Sequence, residues 1–203
     1  TMRVRATAAA LLTSLVAAWP GTCPAKVNLI TISGSINPAV DDFIRESVRV
    51  TTAEEMFNAV CAHAEDADVI VKAAAVADYH VPHSPGKKIK KTAARITLEL
   101  DPTPDILAEV GRNKGGRLLI GFAAETENLI AEASRKLKTK NCDMVVANLV
   151  GVEGTGFESD RNEVTLVLGT GETLALPPAS KREIADRIFD QAPRLRLAPR
   201  RTE

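Results

Sequence analysis

The sequence predicts an α/β fold: three layers around a mostly parallel sheet with right-handed crossovers and an added β-hairpin. Three observations carry this. Short apolar, β-branched runs recur at 27–32, 68–71, 118–122 and 144–147; runs without polar alternation suit strands buried on both faces. Segments with helical spacing and capping signatures stand between them. Near the end, strands at 164–168 and 173–176 flank Gly169-Thr170-Gly171, a hairpin turn.

In chain order, Arg3 and Arg5 precede an apolar run over 6–19 and then Pro20-Gly21. This outline fits either a secretory signal or an Ala/Leu-rich helix at an aberrant start, and it is too short to span a bilayer. Residues 1–25 are therefore set apart as an atypical N-terminal segment, 26–191 as the folded domain and 192–203 as a frayed basic tail. A second strand is expected at 47–50. Thr52 with Glu55 reads as a capping box opening a helix with Met56, Val60 and Ala64 on one face. The stretch 74–91 reads as a long loop, and 96–100 alternates as a strand. Thr103-Pro104-Asp105 reads as a helix start, with a capping hydroxyl, proline in the first helical position and an acid in the first turn; Gly111 ends that helix. A helix over 127–140 buries Leu129, Ile130, Ala133 and Leu137. Ser180 with Glu183 caps a last helix reaching about Gln191.

With 203 residues the chain has one domain's worth of core and needs no disulfide or metal staple. Lys+Arg and Asp+Glu both number 26, which argues against a general binder of nucleic acid or of anionic membrane. At 3% aromatic content, base-stacking platforms for single strands are scarce. Cys23, Cys61 and Cys142 lack C-x-x-C spacing, a reduced pattern that points to the cytoplasm.

In open parallel sheets ligands bind beyond the carboxyl ends of the strands. That rule selects 73–78, 122–125 and Asn148. The small side chains of Ala73, Ala74, Ala75 and Ala77 either let a ligand approach the backbone or simply pack a turn, and Asp78 is either a ribose or metal contact or a solvated loop acid. Lys87, Lys88, Lys90 and Lys91 form either a solvated charge run or a polyphosphate clamp. Lys136 and Lys140 share a helix face at i,i+4, a repulsive pairing unless an anion lies between them. Phe122 either stacks on a base or fills the core. His80 and His83 lack partners at zinc spacing. No G-x-S-x-G, P-loop or strand-following G-x-G-x-x-G is present, which counts against a hydrolase triad and a dinucleotide oxidoreductase.

Six motifs stand in order: 74–79 (AAVADY), 88–91 (KIKK), 104–106 (PDI), 121–126 (GFAAET), Lys136 with Lys140-Asn141, and 156–160 (GFESD). In these the chain resembles the phosphopantothenoylcysteine synthetases (phosphopantothenate–cysteine ligases), which in bacteria usually form the C-terminal half of a bifunctional coenzyme A biosynthesis protein. The resemblance spans about 26–190. It implies a Rossmann-like, dimeric enzyme that activates 4'-phosphopantothenate with CTP and Mg²⁺ and condenses the acyl-cytidylate with cysteine. No flavin is expected in this part, and a decarboxylase domain is expected to be encoded upstream. Carried over motif by motif, the nucleotide contacts are Lys72, Ala73, Ala74, Asp78, Lys88, Pro104, Asp105, Ile106, Leu107, Phe122, Lys136 and Lys140, with Lys88 also catalytic; the metal ligands are left unassigned. The backbone at 104–107, at a helix N-terminus, is expected to offer N–H groups to the nucleotide. Two departures stand out: residues 1–26 lack the family's S-N-x-S-S-G loop, whose asparagine serves the intermediate, and Asn148 is followed by Leu149 rather than aspartate. The alternative these leave open is an inactive nucleotide-binding, dimerising remnant.

Overall fold

The computed structural model describes residues 3–7, 28–33, 44–82, 97–149 and 161–197. Its main sheet contains β1 (Arg3–Thr7), β2 (Asn28–Ser33), β3 (Ile44–Arg49), β4 (Val69–Lys72), β7 (Leu118–Glu125), β8 (Met144–Leu149), β9 (Arg161–Leu168) and β10 (Thr173–Ser180). Across the sheet their order is β10-β9-β8-β7-β4-β1-β2-β3. The strands from β3 to β8 pair in parallel, and β9 and β10 add antiparallel at one edge as the expected hairpin. A separate two-residue ribbon joins β5 (Tyr79–His80) to β6 (Asp101–Pro102).

Helices cover both faces, which explains the apolar runs. On one side lie α1 (Ala53–Ala64), α2 (Ile106–Arg112) and α3 (Leu129–Thr139), packed with Ile70, Leu119, Val145 and Ala147. On the other, α4 (Lys181–Leu197) presents Ile184, Ala185, Ile188 and Phe189 to Val69, Val71, Leu118, Ile120, Met144 and Val146. Alternate side chains of one strand thus enter two different cores, so polar alternation disappears from the sequence.

Both capping boxes form as expected. The Thr52 hydroxyl accepts from Glu55 N at 3.1 Å while the Glu55 carboxylate takes Thr52 N, and Ser180 and Glu183 reciprocate at the start of α4. Helix α3 stops where Asn141 turns left-handed at φ 51°.

Several expectations are corrected. Arg3–Thr7 is a strand between β2 and β4, inside the sheet rather than in an appended segment; its alternating arginines hide it from a search for apolar runs. Residues 8–27 lie outside the described residues, and with them the rest of the Ala/Leu-rich run. The strand expected at 96–100 does not form over 97–100, where Leu98 and Leu100 are exposed; pairing begins only at Asp101. Helix α2 starts two residues later than expected, with Asp105 and not Thr103 as its N-cap: the Asp105 carboxylate takes Ala108 N at 2.8 Å, while the Thr103 hydroxyl lies toward His80 Nδ1 at 3.4 Å. Gly111 lies within that helix instead of ending it. Ile130 is exposed; Ala133 is the buried residue of α3. Helix α4 continues through Pro193 to Leu197, so part of the expected tail is helical.

Candidate active site

The carboxyl ends of β4, β7 and β8 open into a cavity of about 450 Å³. Strands β9 and β10 run antiparallel to each other, so the first residues of β9 and the start of α4 reach the same edge. The cavity brings together Lys72, Ala73, Ala74, Asp78, Pro104, Asp105, Ile106, Leu107, Phe122, Lys136 and Lys140. The remaining selected residue, Lys88, lies outside the described residues with the rest of the lysine run, as do His83 and the 156–160 motif.

Each cation is held by a specific partner. Lys72, at the last position of β4, donates through Nζ to the Ala74 carbonyl at 2.8 Å. Its pKa is lowered: burial disfavours the ammonium, Asp105 and Asp78 work against that, and Lys136 reinforces it. Lys136 Nζ donates to the Phe122 carbonyl at 3.2 Å. Lys140 Nζ lies 2.6 Å from Asp105 Oδ2, joining the end of α3 to the start of α2. Asp105 also caps α2, its Oδ1 accepting from Ala108 N at 2.8 Å. Burial alone would raise the Asp105 pKa, but Lys140, the Ala108 N–H and the Lys72 charge together hold it below its ordinary value.

The approach of α2 to the sheet depends on glycine. A β-carbon at Gly121 would sit 2.9 Å from Leu107 Cδ2 and 3.4 Å from Cys142 Sγ. Ile106 and Leu107 are buried and line the cavity from beneath. With Asp105 occupying the Ala108 N–H, the helix start is less open to an anion than the sequence suggested. Cys142 is a buried thiol pushed up to about 12 by burial and by Asp143, and is therefore inert. Phe122 is half-buried, its ring packed against the α4-side core while it borders the cavity.

Sequence reasoning missed one wall. Asn162, Val164 and Lys181 line the cavity together with Asn148. Asn148 is marked by its strand end, but nothing in the sequence marks an asparagine opening a hairpin as a site residue. Asn162 is the one buried polar residue among those described. No three His, Cys, Asp or Glu residues stand together to hold a metal among the described residues. Nor is any helix among them long and apolar enough to cross a membrane.

The family model described as "DNA/pantothenate metabolism flavoprotein C-terminal domain" matches residues 15–195. The Coenzyme A biosynthesis bifunctional protein CoaBC of Bacillus subtilis is 37% identical over 163 residues, 80% of this chain and 40% of that protein. Its counterpart in Vibrio parahaemolyticus is 39% identical over 170 residues, 82% and 42% of the two chains. The chain therefore spans less than half the length of these relatives. A crystal structure of the C-terminal domain of a Coenzyme A biosynthesis bifunctional protein CoaBC superposes with TM-score 0.74 at 30% identity, covering 96% of each chain.

Proposed function

Because the chain belongs to the DNA/pantothenate metabolism flavoprotein C-terminal domain family, we propose that it is the ligase domain of coenzyme A biosynthesis, joining 4'-phosphopantothenate to cysteine at the expense of CTP. The observation that carries this reading is the convergence of Lys72, Lys136 and Lys140 with the small-residue turn at 73–77 in one cavity. Three ammoniums around a groove that admits a backbone-hugging ligand suit a polyanionic nucleotide and call for no protein nucleophile.

In the first step a carboxylate oxygen of 4'-phosphopantothenate attacks the α-phosphorus of CTP, and pyrophosphate leaves with the electrons of the broken P–O bond. In the second the cysteine amine attacks the acyl carbon, CMP leaves, and the amine gives up its proton. Lys72 supplies a poorly hydrated positive charge where negative charge builds, which is where an ammonium is worth most. Lys136 and Lys140 fix the nucleotide from the α3 side, with Asp105 holding Lys140 in place. Lys88, by the family resemblance, neutralises the phosphates from the loop. Mg²⁺ would supply further charge neutralisation on the triphosphate; nucleotide-bound magnesium typically needs only one or two protein carboxylates, and Asp78, exposed at the cavity edge, fits that requirement.

A homodimer belongs to the same reading. Tyr79 in one strand of the ribbon, Val81 just after it, and Leu98 and Leu100 just before the other strand are exposed apolar side chains. Brought near one another by the pairing of the ribbon, they form a patch of the kind a second copy of the chain would cover. A decarboxylase domain encoded upstream remains part of the proposal as a partner.

The experiment is a coupled assay of pyrophosphate release with CTP, 4'-phosphopantothenate and cysteine, with mass spectrometry of the product. Release that depends on the acyl acid supports the ligase. Nucleotide binding without acyl-dependent release, in a chain joined to its upstream domain, overturns it. Sedimentation of the wild type against Tyr79→Ser/Leu100→Ser tests the dimer separately.

A further inference from the structure

The wall formed by β8, β9 and the start of α4 is not among the contacts assigned above. Two asparagine amides stand on it. Asn148 Oδ1 is fully buried and has no hydrogen-bond partner among the described residues. Asn162 is 8% exposed, and its Oδ1 accepts from Glu163 N at 3.0 Å. That bond fixes the Asn162 amide, so its oxygen is engaged by the backbone and its NH₂ end remains a donor.

The sheet register places both amides on one face. Met144 and Val146 enter the α4-side core and Val145 and Ala147 the other, so Asn148 continues the α4 side. Val164 and Leu166 also enter the α4-side core, which puts Asn162 on that side too. Asn148 is paired with Val164, making Asn162 its diagonal neighbour at about 7–8 Å. Phe122 faces the same way, its backbone paired with Val146, one alternation short of Asn148. An aromatic ring thus stands next to an unpaired acceptor, with a fixed donor beyond it.

We propose that Asn148 and Asn162 are specificity-determining residues that read the hydrogen-bonding edge of an amino-bearing nucleobase. Asn148 Oδ1 accepts from the exocyclic amine, Asn162 Nδ2 donates to the adjacent ring nitrogen, and Phe122 contacts the ring. The inference rests on the reading that the cavity holds a nucleotide, and it goes beyond that reading by naming what selects the base. Cytosine and adenine each present an amine donor beside a ring-nitrogen acceptor; uracil and guanine present a carbonyl acceptor beside an N–H donor. A keto base would set its N–H against the Asn162 amide donor, whose orientation the Glu163 bond fixes, and would force the Asn148 amide to turn over to meet its carbonyl, so that buried donors stay opposed at Asn162. Sites built on such pairing reject the mismatched analogue strongly, whereas size alone discriminates weakly. The pair therefore separates CTP from UTP and ATP from GTP. It does not separate CTP from ATP, a distinction left to the room available to the ring.

The test is calorimetric titration of the chain with CTP, UTP, ATP and GTP, each with Mg²⁺. The wild type should favour CTP over UTP by at least about tenfold. Asn148→Leu should bring that ratio to within about threefold, and Asn148→Asp, which keeps an acceptor, should preserve it. Asn162→Asp replaces the donor with an acceptor and should move preference toward UTP, a reversal that loss of structure would not produce. Thermal melts identify any variant that fails to fold, and Asn162→Asp and Asn148→Leu then serve as substitutes for each other. An unchanged CTP-to-UTP ratio in a folded Asn148→Leu protein, or equal loss of both nucleotides, overturns the proposal. Equal binding of CTP and ATP, each above its keto counterpart, would sustain the proposal while refuting the CTP-specific ligase. A wild type that binds no nucleotide removes both.

Discussion

Gly111 and Lys140 meet backbone to backbone: a β-carbon at 111 would fall on the Lys140 carbonyl, and Asn141 Nδ2 donates to the Gly111 carbonyl at 2.9 Å. This contact sets the end of α3 against α2 and so fixes the distance between Lys140 and Asp105. Gly111→Ala cannot be relieved by a side-chain rotation, because the obstructing atom belongs to the main chain. We expect a loss of about 1–3 kcal/mol in urea unfolding, together with weaker CTP binding. Gly115, whose β-carbon would meet only the Arg117 guanidinium at 3.6 Å, is the control. Its φ of +56° should make Gly115→Ala cost about 1 kcal/mol without affecting the nucleotide. Equal effects on CTP binding at both positions would disconnect Gly111 from the site.

Lys72 carries a charge that burial opposes, and this is a functional burden on the fold. Lys72→Met keeps the stem's packing and removes the ammonium. It should raise the melting temperature by about 2–4 °C, corresponding to about 1 kcal/mol in a domain of this size. CTP affinity should fall at least tenfold. The sign of the pH dependence follows from the lowered pKa: the folded state releases the proton first, so wild-type stability rises with pH between the folded value and the ordinary 10.5. Lys72→Met should lose that rise. A variant that is both less stable and equally good at binding would show that Lys72 is a packing residue.

Asp105 has the opposite sign. Its pKa lies below the ordinary 3.8, so its contribution to stability is fully present above that pH and disappears as pH falls through the folded value. The carboxylate is substantially solvated, and screening keeps the Lys140 pair to about 0.5–1 kcal/mol. Asp105→Asn, which leaves a side chain able to cap α2, should lower stability by that amount at neutral pH and by nothing below the folded pKa. A difference that persists into acid would assign the effect to the cap at Ala108 instead of the ion pair.

How much of this was legible in the sequence depends on what each signal measures. The runs at β4, β7 and β8 are visible because helices cover both faces, so that Ile70 and Val71, on opposite sides, are both buried. β1 was not legible, since Arg3, Arg5 and Thr7 alternate with smaller side chains and its place in the sheet follows from pairing with β2 and β4. The start of α2 differs for a similar reason: Thr103 is a good capping residue locally, but its hydroxyl lies toward His80 of the ribbon and the Asp105 carboxylate takes the cap. Strand ends point to 73–78, Phe122 and Asn148 through the crevice rule, whereas Lys72 follows only from the family resemblance. Asn162 and Lys181 could not be found that way, because the rule concerns parallel strands and these residues belong to the antiparallel edge.

The lysine run gives a contrast that needs no side-chain geometry. Lys88 stands where the family resemblance places a phosphate contact, and Lys91 lies three residues further along the same run. Lys88→Gln should lower turnover by about 10²-fold or more, the scale for losing one charge-stabilising donor at a dry site. Lys91→Gln should change it by less than about threefold, as for a solvated lysine. Small and equal effects would return the whole run to a solvated surface.

The last prediction concerns binding without efficient turnover. The residues that converge on the cavity lie between 72 and 181, and all those proposed to contact the nucleotide, except Lys88, line it. The stretch between β1 and β2, by contrast, contains no S-N-x-S-S-G sequence to handle the acyl-cytidylate. One misplaced polar group at such a transition state typically costs about 10²–10³ in rate, and a whole loop costs more. Without that loop's polar groups an activated acyl group is also left to hydrolysis. The 203-residue chain should therefore titrate with CTP normally yet form product far below the common range of about 1–10 s⁻¹. Any pyrophosphate released should exceed the phosphopantothenoylcysteine formed, because hydrolysis of the intermediate uncouples the two. Inserting an S-N-x-S-S-G loop between β1 and β2 should restore both rate and coupling. Product formed at ordinary rates, in equal amounts with pyrophosphate, by the unaltered chain would show that the loop is dispensable here.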